Sequence, residues 1–195
     1  MTAITPLESI HKIGLFGDHH KKNEKDLLKI SEVDNLSITQ IVKYKKSEIN
    51  IKTIKIDGLE FPSENSNVTC DQKTRILCTG PNTWLVMSKK EDIAKIIKQE
   101  CRIEDFALTD ISHSRAIIQI AGLQAKEVLK KGCPFNFTEF KKNNSTSSTF
   151  HGITFTIDYI DEESKTFNLI VLRSFGESLY HHITDSSLEF GYVGV

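Results

Sequence analysis

From Leu36 onward the apolar positions fall into readable periods. Leu36, Ile38, Val42 and Tyr44 alternate with polar neighbours, interrupted at Gln40 and Ile41, and predict a strand. Ile49, Ile51, Ile54 and Ile56 predict a second strand whose phase slips near Thr53, as at a bulge. Residues 62–74 read as a polar loop. Arg75 to Thr79 is a short strand, Gly80-Pro81-Asn82 a turn, and Trp84 to Met87 a buried strand in which Trp84 is core. Ser88 and Glu91 have the spacing of a capping box, and Ile93, Ile96, Ile97 and Cys101 define one helical face behind it. Phe106 to Asp110 and Arg115 to Ile120 are two strands flanking a polar knot. Gly122 opens a second helix with Ala125, Val128, Leu129 and Gly132 on its face. Residues 141–149 form a low-complexity loop. Ile153, Phe155, Ile157 and Tyr159 then alternate with polar residues and pair across an acidic turn with Phe167 to Leu172, as a hairpin. Ser174 and Glu177 make a second capping box, and Phe175, Leu179, Ile183 and Phe190 line a last helix ended by Gly191.

Helices thus recur between antiparallel-looking strand pairs, not after every strand. The fold class this predicts is α+β, with mixed or antiparallel sheets and helices packed on their faces, and not a doubly wound parallel sheet. Residues 1–35 carry little pattern beyond Leu27, Leu28, Ile30 and Val33, and are expected to form an N-terminal arm that lies against another subunit or hangs free. Residues 36–195 are expected to be a single α+β domain, with two half-units joined near 102–106.

Composition narrows the function. The 195 residues hold 25 Lys+Arg against 26 Asp+Glu, so the basic excess of a nucleic-acid binder is missing. With 38% hydrophobic and 26% charged residues the chain reads as globular, and its apolar runs fall far short of the roughly 20 residues of a membrane span. The start, Met1 to Pro6, lacks a signal-peptide pattern, so a cytoplasmic location is expected. Cys70, Cys78, Cys101 and Cys133 are scattered, at neither metal-site nor disulfide spacing.

The knot Asp110, Ser112, His113, Ser114, Arg115 holds acid, hydroxyl and imidazole within six residues. Catalytic triads are assembled from distant segments, and neighbours on an extended chain face opposite ways. The knot is therefore read as structural or as an interface, with Asp110 and Arg115 an ion pair or backbone-capping groups that pin a strand crossover, and Asp110 also the candidate partner of Arg173. Arg173 and Ser174, at a strand-to-helix junction, could hold an anion. The simpler account makes Ser174 the helix cap and Arg173 an ion-pair partner. His19-His20 and His181-His182 offer adjacent imidazoles without a third ligand. Cys133 is read as a small buried thiol, and no glycine-rich phosphate loop occurs. The residues alone therefore assign no catalytic, cofactor or metal position.

Three ordered motifs carry a resemblance: Thr109-Asp-Ile-Ser-His-Ser-Arg-Ala116, then Gly122-Leu-Gln-Ala-Lys-Glu-Val-Leu-Lys-Lys-Gly-Cys-Pro134, then Arg173-Ser-Phe-Gly-Glu-Ser-Leu-Tyr180 with Glu189-Phe-Gly191. Together with Gly80-Pro81 and Trp84-Leu85 they are similar to the gamma subunit of heterotetrameric sarcosine oxidase, over about residues 75–191. The resemblance implies a fold similar to the folate-binding domain of the glycine-cleavage aminomethyltransferase. It also implies alpha, beta and delta partner subunits, with NAD and tetrahydrofolate on alpha, FAD and FMN on beta, and zinc on delta. The complex demethylates sarcosine to glycine, with hydrogen peroxide and a folate-captured one-carbon unit, and gamma has no assigned catalytic residue. Two alternatives stand beside this. One is a stand-alone folate-binding protein or aminomethyltransferase-like enzyme, with Asp110 the nearest candidate for a pterin-holding carboxylate. The other is a subunit of an oxidase acting on a related N-methyl amino acid such as dimethylglycine.

Overall fold

Strands make up most of the regular structure of this chain, seen in a computed structural model that describes residues 5–20 and 22–195. In chain order the described strands are β1 (Gly14–Phe16), β2 (Leu28–Glu32), β3 (Ser37–Lys43), β4 (Lys55–Ile56), β5 (Leu59–Glu60), β6 (Val68–Cys70), β7 (Thr74–Gly80), β8 (Thr83–Ser88), β9 (Phe106–Asp110), β10 (Arg115–Ala121), β11 (Ser145–Phe150), β12 (Ile153–Asp161), β13 (Thr166–Leu172) and β14 (Tyr192–Gly194). The helices are α1 (Ile93–Glu100), α2 (Ala125–Lys130) and α3 (Gly176–Ser187). The α+β class holds.

The chain forms two compact units, and neither is continuous in sequence. One comprises the described residues up to 34 with 113–142 and 147–195; the other comprises 35–112 with 143–146. The expected join near 102–106 is therefore displaced. The chain crosses near 34 and 112 instead, and the short 143–146 segment belongs with the second unit.

The first unit holds the seven-stranded sheet β1-β14-β2-β10-β13-β12-β11. β2, β10, β13 and β12 run antiparallel to one another in turn, while β14 lies parallel to β2. Alternation explains its core. Ile118 and Ile120 of β10, Leu169 and Val171 of β13, and Phe155 and Ile157 of β12 join one apolar cluster with Val128 and Leu129 of α2 and Leu179 and Ile183 of α3. The hairpin register sets Phe155 opposite Val171 and Ile157 opposite Leu169, and slips after Tyr159 as a bulge.

Here the expected N-terminal arm is corrected. Leu28 and Ile30 of β2 are buried inside the sheet, between β14 and β10, and Leu7 is fully buried in the same core. The Glu32 carboxylate accepts the Leu7 N–H at 3.1 Å and the Thr5 hydroxyl at 2.7 Å, tying the start of the described chain to β2. A five-residue strand turns only two or three side chains inward, so a fully integrated segment can still look apolar-poor. Backbone bonds anchor it as well, as where the Val33 N–H reaches the Ile117 carbonyl at 2.9 Å. The first four residues of that expected arm lie outside the described residues.

The second unit holds the five-stranded sheet β6-β7-β8-β3-β9 and the small pair β4-β5. Ile41, Ile76, Trp84, Val86 and Phe106 of the large sheet pack with Ile93 and Ile97 of α1, and with Ile54, Ile56 and Phe61. Trp84 is core, as its sequence setting suggests, and its indole N–H donates to the Pro62 carbonyl at 2.9 Å.

Other expectations shift here too. The strand expected over Ile49–Ile56 is a 3-10 turn, Ile51–Thr53, followed by the two residues of β4, because the Asn50 side chain accepts the Lys52 N–H and closes the turn locally. The expected polar loop at 62–74 contains β6, Val-Thr-Cys, and that at 141–149 runs into β11, whose Ser and Thr residues precede Phe150, so neither strand shows a strong apolar alternation. Neither capping box forms. α1 has Asp92 as its N-cap with no side-chain cap bond, and Ser88 instead accepts the Lys90 N–H at 3.1 Å and bonds Thr74 at 2.8 Å. α3 is preceded by a 3-10 turn, Arg173–Phe175, that displaces Ser174 from the cap position.

Candidate functional site

At the end of β9 the chain leaves the second unit through a 3-10 turn, Ser112–Ser114. Asp110 Oδ1 accepts the Ser112 backbone N–H at 2.9 Å and its hydroxyl at 2.6 Å. The Ser112 oxygen in turn accepts the Ile38 N–H at 2.9 Å, and the Ile111 N–H donates to the Ile38 carbonyl at 2.9 Å. Short polar side chains that bond nearby backbone in this way fix turns. Asp110 and Ser112 are thus engaged in locking the strand exit against the start of β3.

His113 and Ser114 are exposed, and the half-buried Arg115 guanidinium donates to the Ser114 carbonyl at 3.2 Å and its hydroxyl at 3.0 Å. Burial lowers the Arg115 pKa from its ordinary value, but a guanidinium stays charged throughout the working range. Arg173 opens the 3-10 turn ahead of α3 and is half-buried, with Ser174 exposed beside it. Asp110 and Ser112 belong to one unit, and His113, Ser114, Arg115, Arg173 and Ser174 to the other.

The Cys133 and Cys101 thiols are buried, and desolvation pushes them up to about 11 and about 12, so at neutral pH both remain protonated and poorly nucleophilic. His181 is exposed, 3.7 Å from Glu177, while the His182 ring lies 4.9 Å from that of His151. Among the described residues no three His, Cys, Asp or Glu side chains group as a metal site.

Two motif glycines have packing reasons. A Cβ on Gly132 would stand 2.8 Å from the Phe150 ring, and one on Gly176 would stand 2.9 Å from Ala116 Cβ. The Gly132-Cys-Pro134 and Arg173-to-Tyr180 motifs therefore record close approach of helix to sheet inside the first unit.

Sequence reasoning passed over an open groove of about 610 Å³ in the second unit, beside β9, lined by Tyr44, Lys98, Arg102, Ile103, Phe106 and Leu108 among others. Its one sequence signal is Ile103, an apolar residue set among charges and 75% exposed.

No protein-family model matches the chain. Over 142 residues it is 25% identical to the sarcosine oxidase gamma subunit of Corynebacterium sp. (strain U-96), a match covering 71% of this chain and 68% of that one. A chain of the heterotetrameric sarcosine oxidase from Corynebacterium sp. U-96, solved in complex with pyrrole 2-carboxylate, superposes with a TM-score of 0.83 at 19% identity, covering 97% of both chains. The glycine cleavage system aminomethyltransferase T from Bartonella henselae superposes with a TM-score of 0.62 at 11% identity, over 88% of this chain and 49% of that one. No helix among the described residues is long and apolar enough to cross a membrane. The chain is similar in sequence to a sarcosine oxidase gamma subunit, and its fold matches a chain of that heterotetramer and about half of aminomethyltransferase T.

Proposed function

We propose that this chain acts as the gamma-type, non-catalytic subunit of a heterotetrameric, flavin-dependent sarcosine oxidase, assembling and stabilising the complex. The observation that carries this reading is the gamma-subunit likeness, which spans about two thirds or more of both sequences. The use of the polar knot supports it, since Asp110 and Ser112 are committed to fastening backbone and Arg115 binds its own neighbour. In this reading the flavins, FAD and FMN, together with NAD, tetrahydrofolate and zinc, belong to the alpha, beta and delta partners. The demethylation of sarcosine, or of a related N-methyl amino acid, takes place on those chains.

The stand-alone folate reading needs a carboxylate that is free to meet pterin N–H groups and is screened from water. Asp110 does not fit that role, because it is exposed and Oδ1 already accepts two hydrogen bonds from Ser112. The test is to purify a tagged copy of the chain from its own host, size it and record its absorbance. A large, yellow assembly with three other chains is expected. A colourless species of this chain alone, which then binds tetrahydrofolate, would overturn the subunit reading.

A further inference from the structure

The two edges of the five-stranded sheet are treated differently. At the β6 edge the chain folds back to cover the open backbone: the Val68 N–H donates to the Asn143 carbonyl at 3.0 Å, Asn67 bridges Asn144, and the Ser145 N–H reaches the Ser66 carbonyl at 2.7 Å. Among the described residues the opposite edge, β9, pairs with β3 alone. The Tyr44 N–H meets the Asp105 carbonyl and the Ile111 N–H the Ile38 carbonyl, each at 2.9 Å, and the register sets Ile41 opposite Leu108. In an antiparallel pair bonded positions alternate, so Ala107 and Thr109 bond to β3 while Leu108 turns its N–H and carbonyl outward. Exposed edges are commonly blunted by proline, lysine or a bulge, and the five residues of β9, Phe-Ala-Leu-Thr-Asp in unbroken register, hold none of these, with a charge only at the last, Asp110.

Beside that edge lies the groove with Ile103 75% exposed and Tyr44 41% exposed. Lys98, Arg102 and Glu104 line it, all exposed, a net positive lining in which, among the described residues, neither cation has a carboxylate within ion-pair distance. We infer that β9 receives an extended segment of another subunit as a sixth strand, which bonds the outward Leu108 backbone, lays an apolar side chain on Tyr44 and Ile103, and sets a carboxylate against Lys98 and Arg102. This rests on the subunit reading and names where one of the partners joins.

The test is residue-resolved hydrogen exchange on the free chain and on the complex purified through it. In the free chain the Ala107 amide is protected by β3 and the Leu108 amide exchanges freely. In the complex Leu108 is expected to slow by about a hundredfold while Ala107 changes little. The double variant Lys98→Glu/Arg102→Glu, both exposed and hence compatible with folding, should keep Ala107 protected and weaken assembly about tenfold or more. An intact complex in which Leu108 exchanges as in the free chain would overturn the inference and leave the subunit reading standing. Failure of any complex to form would overturn both. Protection of Leu108 in the isolated chain, rising with its concentration, would show a second copy on β9 and reject a partner subunit as the occupant.

Discussion

Ser112 and Ile38 stand 74 positions apart in the chain, yet the Ser112 hydroxyl oxygen accepts the Ile38 N–H at 2.9 Å while its own proton goes to Asp110 Oδ1 at 2.6 Å. One small side chain thus joins the exit of β9 to the entry of β3. Removing it orphans a backbone donor and frees a carboxylate. Ser112→Ala should destabilise the protein by about 1–2 kcal/mol in urea denaturation. In a double-mutant cycle with Asp110→Ala the two losses should fall short of additivity by at least about 0.5 kcal/mol, because they remove one shared network. Simple additivity would mean that the two residues act separately.

Burial of Ile30 distinguishes an integrated strand from an arm. Ile30→Ala should cost about 2–4 kcal/mol, as core truncations do, and removal of residues 5–34 should leave insoluble chain. A truncated chain that remains monomeric with an unchanged melting temperature would contradict the pairing of β2 with β10 and β14.

The Gly132–Phe150 approach should be sensitive to a single methyl group. Gly132→Ala drives a Cβ to 2.8 Å from a ring that is itself fully buried, and about 1–3 kcal/mol of destabilisation is expected. Phe150→Leu in the same chain should recover part of that loss relative to the sum of the single changes. The readout is thermal or urea midpoint for the four chains of the cycle.

The buried thiols make stability depend on alkaline pH. Cys101 and Cys133 ionise near 12 and 11 in the folded chain, against about 9 when exposed. Folding therefore holds on to their protons, and stability is full below pH 9 and declines as pH rises from about 9 toward 11 and 12. Replacing both with Ala should make that decline shallower, while the Cys78 thiol and the phenols of Tyr159, Tyr180 and Tyr192, all raised by burial, keep part of the slope. Thiol reagents at pH 8 should reach these two cysteines only after unfolding. Rapid labelling of either in the folded chain would be inconsistent with the burial seen.

At Asp161 the sign is reversed. Its carboxylate accepts the Ser164 N–H at 2.9 Å and hydroxyl at 2.7 Å, with Lys142 at 3.2 Å, and these hold its pKa well below the usual carboxylate range. The stability it contributes is present above about pH 4 and is lost as pH falls below that. Asp161→Asn should therefore make the acid limb of the stability curve shallower, as read by urea midpoints between pH 2 and 5. An acid limb that is unchanged in the variant would remove this turn from the account.

Local pattern made some elements legible and left others hidden. The hairpin of β12 and β13, the faces of α1 and α2, and the core position of Trp84 follow from alternation and helical spacing, which depend only on neighbouring residues. β2 and β14 escape such reading because three to five residues buried by strands far away in sequence leave no period of their own. β11 escapes because five of its six residues are Ser or Thr, and its one apolar side chain, the buried Phe150, sets no alternation by itself. The capping boxes failed at Ser88 and Ser174 because each stands outside the first turn that packing selects for the following helix.

Order along the chain is enough for the α+β class, the apolar faces, and the clustering of Asp110, Ser112, His113, Ser114 and Arg115 in one short span, with the motifs that resemble a sarcosine oxidase gamma subunit. What those polar residues do was decided only in three dimensions, where Ile38 supplies the donor that turns Ser112 into a fastener and β3 leaves one edge of β9 open. Side-chain chemistry is written locally, whereas its partners come from segments that meet through backbone pairing, and that pairing carries almost no residue-specific signal.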